Sequence, residues 1–194
     1  METVEALKER IRREGKILPG NIVKVDGFLN HRVDCAFLGK IADEFARIFD
    51  VSQADVILTA EASGIALAAV CAYRWGKPMI FAKKAKSDNI EGGLYQSEIM
   101  SYTYNKKVTL LVSKQWLRPG SRVLIIDDFM ARGEAIRGLC ELVQSAEAEL
   151  VGVGIAVEKG FQGGGDRLRE MGLNYHALAV IEEATPNHIV FRED

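Results

Sequence analysis

The chain has 194 residues and 21.4 kDa, with 48% hydrophobic residues, 27% charged residues and a formal net charge of −2. This profile excludes a disordered or fibrous protein and fits one or at most two globular domains, burying roughly 70% of the surface that the unfolded chain exposes. Lys and Arg spread along the chain leave no electrostatic footprint for nucleic acid, and the scattered Cys35, Cys71 and Cys140 form neither a disulfide framework nor a metal cluster, so a cytoplasmic location is expected.

The first residues open with acids rather than with a basic and then apolar leader, so no secretion signal is expected. Val4, Leu7 and Ile11 recur at helical spacing ahead of Gly15, predicting an amphipathic helix appended to the core. Residues 17–25 read as extended, and Asp34 as the cap of a helix with Phe37, Leu38, Ile41, Phe45 and Ile48 on one face. An apolar strand at 56–58 follows, then a loop at 61–64, a helix to about Trp75 and a strand at 79–81. The apolar run 64–73 is about half of the ~20 residues that a membrane span requires. The same grammar returns as a strand at 123–126, a loop from Asp127 to Arg132, a helix from about Gly133 to Ala146 and a strand at 150–157. Nearly continuous apolar strands alternating with helices imply an α/β fold with an open, mainly parallel sheet flanked by helices. Between the two units, 99–103 and 108–112 alternate apolar and polar residues as a half-exposed hairpin would, and Gly92-Gly93 predicts mobility there. Strands near 175–181 and 189–191 close the chain. With no repeat or linker, 1–194 is read as one domain.

Ligands of open α/β sheets bind at the carboxyl ends of the strands. The most informative of those ends is Ile125-Ile126-Asp127-Asp128-Phe129-Met130-Ala131-Arg132-Gly133-Glu134-Ala135. Paired carboxylates accept hydrogen bonds from a vicinal diol, and the free N–H groups of a helix start favour a phosphate a few ångströms away, so a ribose 5-phosphate satisfies both. The acidic strand of a P-loop enzyme is excluded, because no G-x-x-x-x-G-K-[ST] loop exists, and no G-x-G-x-x-G occurs either. A capping or salt-bridging role for the two acids is the blander alternative. Ser63 and Gly64 also open a helix and can present N–H groups to an anion, or simply cap it. Lys83 and Lys84 add positive charge at the next strand end, where a merely solvated face is the alternative, as it is for Lys86 close by. Together the loops offer a diol site, a monophosphate site and a pyrophosphate site. The histidines His31, His176 and His188 are scattered and imply no metal site.

This combination resembles the type I phosphoribosyltransferases, whose signature is an apolar strand, two acids and a small-residue loop. Within that family it is most similar to bacterial members that act on xanthine, over nearly the whole chain. The supporting stretches are Val25-Asp26-Gly27-Phe28-Leu29-Asn30-His31, Glu61-Ala62-Ser63-Gly64-Ile65, Phe81-Ala82-Lys83-Lys84, the Asp127-Asp128 motif and Glu158-Lys159-Gly160-Phe161-Gln162. The resemblance implies a type I phosphoribosyltransferase-like fold with a small hood and a flexible loop, residues 1–35 being the N-terminal helix and base-binding hood segment. It implies transfer of phosphoribosyl from phosphoribosyl pyrophosphate to xanthine in purine salvage, Mg2+ bound with the substrate, no organic cofactor, and a homodimer.

Carried over residue by residue, the resemblance puts the 5′-phosphate on Ala131, Arg132, Gly133, Glu134 and Ala135, and the ribose hydroxyls at Asp127 and Asp128. The base would contact Val23, Asn30 and Lys159, and the leaving pyrophosphate Ser63, Gly64, Lys83 and Lys84. A lysine there makes chemical sense, since it donates to a purine 6-oxo group, whereas adenine's amino group wants an acceptor. Phe161 either stacks on the base or packs in the core. Two positions depart from the pattern: Arg132 stands where this branch has Asn, and an arginine can pair bidentately with phosphate; Val23 stands where Leu is usual. Segment 92–105, with Tyr102 and Tyr104, is expected to close over the site and exclude water. Guanine, hypoxanthine or adenine as acceptor, and a non-catalytic purine or phosphoribosyl pyrophosphate sensor, are the competing readings. A sensor is expected to carry a DNA-binding module, and only one short mixed-charge helix precedes the core.

Overall fold

The computed structural model describes residues 2–18, 20–84, 93–101, 106–185 and 188–193. Helix α1 (Glu2–Glu14) buries Leu7, Ile11 and the stem of Lys8, matching the apolar spacing. The extended stretch after it splits into a hairpin of β1 (Lys16–Leu18) and β2 (Ile22–Lys24), paired antiparallel with Ile17 opposite Val23. Its turn places Gly20 (φ 81°) and Asn21 (φ 58°) in the left-handed region, which these two residue types enter most readily. The side chain of Asp34 accepts from the Phe37 N–H at 3.0 Å and caps α2 (Cys35–Ile48), whose Phe37, Leu38, Ile41 and Phe45 are buried while Ile48 packs at the core's edge.

The first strand-helix-strand unit is β3 (Val56–Ala60), α3 (Gly64–Trp75) and β4 (Met79–Ala82), and the second is β7 (Arg122–Met130), α4 (Glu134–Ser145) and β8 (Glu149–Lys159). Between them β5 (Leu94–Ser101) and β6 (Lys106–Ser113) form the expected antiparallel hairpin. Helix α5 (Gly164–Glu170) and strands β9 (Tyr175–Thr185) and β10 (His188–Phe191) complete the order. The six-stranded sheet runs β10-β9-β8-β7-β3-β4, parallel throughout except for β10 against β9. Alternation along the central strands divides the core. Ile57, Leu124 and Ile126 face α1, α2 and α3, whereas Val56, Leu58, Val123 and Ile125 face α4 and the β5–β6 hairpin.

Two strand ends need correction, and one helix is new. The central strand does not end at Ile126, and Asp127 to Met130 continue it in register, Asp127 opposite Ile155 and Met130 opposite Glu158 of β8. The strand expected at 150–157 runs on to Lys159, so that residue sits at a strand end rather than in a loop. Helix α5 was not foreseen, because Gly163-Gly164-Gly165 argues against a helix by propensity alone. Lys86, Gly92, Tyr102 and Tyr104, and with them the closure expected of segment 92–105, lie outside the described residues. No helix of the described residues is long and apolar enough to cross a membrane.

Candidate active site

Strand β7 delivers both acids to the carboxyl edge of the sheet in a nearly dry setting, with Asp127 5% and Asp128 0% exposed. Asp127 Oδ1 accepts from the Asp128 N–H at 3.1 Å and from Thr59 Oγ1 of β3 at 3.3 Å. Burial, reinforced by the charge of Asp128 next to it, pushes the Asp127 carboxyl well above the usual carboxylate range. Asp128 Oδ2 accepts from Asn30 Nδ2 at 2.6 Å, while its Oδ1 is buried with no hydrogen-bond partner among the described residues. A buried carboxylate oxygen left unpaired is costly, so this atom is poised for an incoming donor. Asn30, expected at the base, is thus also the residue that steers Asp128. It is carried on the turn between β2 and α2, which the Leu29 N–H to Val25 O (3.1 Å) and Arg32 N–H to Asp26 O (2.9 Å) bonds hold closed.

The start of α3 presses directly on this pair. A Cβ built at Gly64 would lie 2.0 Å from Asp127 Oδ1 and 2.2 Å from Thr59 Oγ1, distances no side chain tolerates. Gly64→Ala is therefore expected to destabilise the fold by about 1–3 kcal/mol. Thermal unfolding should show a fall of about 2–4 °C per kcal/mol, and an unchanged Tm would mean that the loop has room to yield. The Glu61–Ala62 peptide ahead of this helix is cis. The Glu61 carboxylate accepts from the Lys84 backbone N–H at 2.5 Å, joining the ends of β3 and β4.

Beyond Met130 the chain turns through Ala131 and Arg132 to Gly133, whose left-handed backbone (φ 81°) precedes α4. The Gly133 carbonyl accepts from the Arg137 N–H at 2.8 Å as the helix begins. Glu134 brings a negative charge to the helix start, and the Arg137 guanidinium balances it with a donated bond of 3.2 Å. Met130 to Ile136 form one wall of a cleft of about 480 Å³ that also gathers Val23, Asn30, Ser63, Lys84, Asp127 and Phe129.

Lys159 ends β8 at 9% exposure, its Nζ 5.4 Å from the centroid of the Phe129 ring, and burial lowers its pKa. Phe129 is the aromatic face that the sequence reading missed: it and Phe161 both pack against the core, but of the two only Phe129 lines the cleft. Lys83 does not share the cleft. Its backbone pairs with Leu111 of β6 (2.9 Å in both directions), and it lines a neighbouring groove with Leu111 and Trp116. Thr59 was also missed, although a hydroxyl closing the apolar run 56–58 was a signal that could have found it. Glu158, also buried, carried no such signal beside Lys159. His176 stacks edge-on to Phe49 at 5.4 Å, and His31 and His188 are exposed. Among the described residues no group of three or more His, Cys, Asp or Glu is placed to hold a metal.

An acid pair near the end of a central parallel strand, with Asp127 lining the same cleft as the helix start that follows, is the layout of an enzyme that handles phosphorylated ribose. Residues 35–168 match the phosphoribosyl transferase domain, and the chain belongs to that family. It is similar to the xanthine phosphoribosyltransferase of Lachnoclostridium phytofermentans, 46% identical over 193 residues that span 98% of this chain and 100% of that one. It is similar also to the xanthine phosphoribosyltransferase of Alkaliphilus metalliredigens, 47% identical over 98% of this chain and 95% of the relative. Among solved structures, adenine phosphoribosyltransferase from Saccharomyces cerevisiae shares the fold, with a TM-score of 0.75 at 21% identity over 91% of this chain and 98% of that one.

Proposed function

We propose that the chain transfers the phosphoribosyl group of phosphoribosyl pyrophosphate to xanthine, giving xanthosine 5′-monophosphate and pyrophosphate, a step of purine salvage. The observation that carries this reading is the unpartnered, buried Asp128 Oδ1 on the strand that leads into the small-residue start of α4, one feature suited to a sugar hydroxyl and the other to the phosphate on the same sugar. Identity of 46–47% along almost the whole chain with xanthine phosphoribosyltransferases supports the choice of base.

In this reaction the bond from the anomeric carbon to pyrophosphate breaks, and a ring nitrogen of xanthine, losing its proton, takes its place. Positive charge develops on the ribose ring, so the protein acts mainly by positioning and by preset charge. Asp127 and Asp128 hold the ribose hydroxyls beside the developing cation, and the backbone of Ala131 to Ala135 holds the 5′-phosphate, with Arg132 adding a charge that can meet it. Ser63, Gly64 and Lys84 take the pyrophosphate, with Lys83 further out. Val23 and Asn30 in the hood segment 1–35, together with Lys159, frame the base, and the Phe129 ring offers it a stacking face. Asp127 and Asp128, adjacent carboxylates of which one has a free oxygen, would be the residues to hold a magnesium ion that arrives with the substrate. Bound there, it would neutralise charge on the leaving pyrophosphate. The same reading takes the protein to be a cytoplasmic homodimer.

Pyrophosphate release from phosphoribosyl pyrophosphate and magnesium, with xanthine, guanine, hypoxanthine and adenine supplied separately, tests the proposal. Xanthine should be preferred on the order of 10²-fold or more, because each other base leaves a hydrogen-bonding group in the pocket wrongly matched. Preference for another base would overturn the assignment of xanthine. No release with any base, while phosphoribosyl pyrophosphate still binds, would return the sensor reading.

A further inference from the structure

Helix α5 contributes nothing to the lining of the cleft, yet it is built onto the back of the phosphate loop. A Cβ at Gly164 would lie 2.5 Å from the Ala131 carbonyl oxygen and 2.9 Å from backbone atoms of Arg132 and Gly133, so only glycine lets the two segments meet. Three residues further on, the Arg167 guanidinium donates to the Arg132 carbonyl oxygen at 2.6 Å. The helix is itself anchored from below. Its Gly165 N–H donates to Oε1 of the buried Glu158 at 3.1 Å, while Glu158 Oε2 accepts from Tyr175 Oη at 2.7 Å and from Arg169 at 3.2 Å. Glu158 pairs with Met130 in the sheet and directly precedes Lys159. One carboxylate therefore ties together β8, which carries Lys159 and runs beside the strand that leads into the phosphate loop, the start of β9 at Tyr175, and α5.

A seven-residue helix opening on two glycines has little stability of its own, so its place depends on this anchor. Its outward effect falls on one peptide group. In a trans peptide the C=O and N–H point in opposite directions, so gripping the Arg132 carbonyl fixes the Gly133 N–H on the side away from Arg167. The grip also prevents that carbonyl oxygen from turning towards an anion. We propose that Arg167 is a positioning residue for the 5′-phosphate: through α5 it locks the Arg132–Gly133 peptide in its anion-binding orientation without touching the substrate. This inference rests on the reading of Ala131 to Ala135 as the 5′-phosphate site.

The side chain of Arg167 is exposed, so replacing it leaves the core intact. In the full-length protein, Arg167→Met should weaken ribose 5-phosphate binding, read by titration calorimetry, about tenfold, which is about 1.4 kcal/mol. The KM for phosphoribosyl pyrophosphate should rise by a similar factor, with the KM for xanthine within about twofold of the parent value. Arg167→Lys keeps a donor on a long stem and should recover most of the loss. Unchanged ribose 5-phosphate binding in Arg167→Met overturns the proposal, as does an equal rise in both KM values, which general loosening of the fold would produce. Failure of the parent protein itself to bind ribose 5-phosphate overturns instead the phosphate reading on which the proposal stands.

Discussion

Asp127→Asn is expected to lower kcat/KM for transfer by about 10²–10³-fold, because it removes preset negative charge beside a developing ribosyl cation. The same change is expected to leave the protein at least as stable as its parent at neutral pH. Asp127 is buried next to another carboxylate, and both circumstances disfavour its charged form, which is why its pKa lies well above the ordinary value. For such a group the native state keeps the proton to higher pH than the unfolded state does. Stability is therefore greatest below the unfolded pKa and falls as pH rises through the native one. Asparagine nearly preserves the shape, can still accept from Thr59 Oγ1 and the Asp128 N–H, and carries no charge to bury. Thermal unfolding from pH 4 to 8 should show the parent losing stability relative to Asp127→Asn as pH rises. A variant less stable at pH 8, or one that retains full transfer, would show that the carboxylate is kept for structure.

This opposition between stability and chemistry also explains where sequence reading failed. Apolar runs at 56–58, 123–126 and 150–157 announced a parallel sheet because both faces of those strands are covered, which demands hydrophobic side chains at successive positions. Two consecutive acids ordinarily end such a run, and the strand was accordingly expected to stop at Ile126. It continues to Met130 because Thr59 and Asn30, 68 and 98 residues away, supply donors to the acids. No local window contains that information. Helix α5 escaped for the same reason: three glycines give no local helix signal, and the carboxylate and carbonyl that hold the helix in place come from β8 and from the phosphate loop. Lys83 and Lys84 were indistinguishable as neighbouring cations. Neighbouring residues leaving a strand point to opposite sides, and only Lys84 reaches the cleft. The acid pair, the small-residue loop and Ser63-Gly64 were legible because their chemistry is local to a strand end and a helix start.

Lys159→Met is expected to lower kcat/KM for xanthine by about 10- to 150-fold, corresponding to the 1.5–3 kcal/mol of a hydrogen bond from a charged donor. The KM for phosphoribosyl pyrophosphate should stay within about twofold, since the phosphate loop lies on a different strand. Methionine keeps most of the aliphatic stem against Phe129 and deletes only the ammonium, so lost packing does not confound the measurement. Burial lowers the lysine pKa, so between its native and unfolded values the native state binds fewer protons and stability rises with pH; at neutral pH the charged amine is a net cost. The aromatic face of Phe129 offsets part of that cost. Lys159→Met should therefore unfold at or above the parent Tm at pH 7 while turning over xanthine poorly. A buried cation retained against its own stability, behind the Phe129 ring that lines the cleft, is accounted for by an oxo group on the incoming base. Equal losses of Tm and of activity would instead assign Lys159 to the fold.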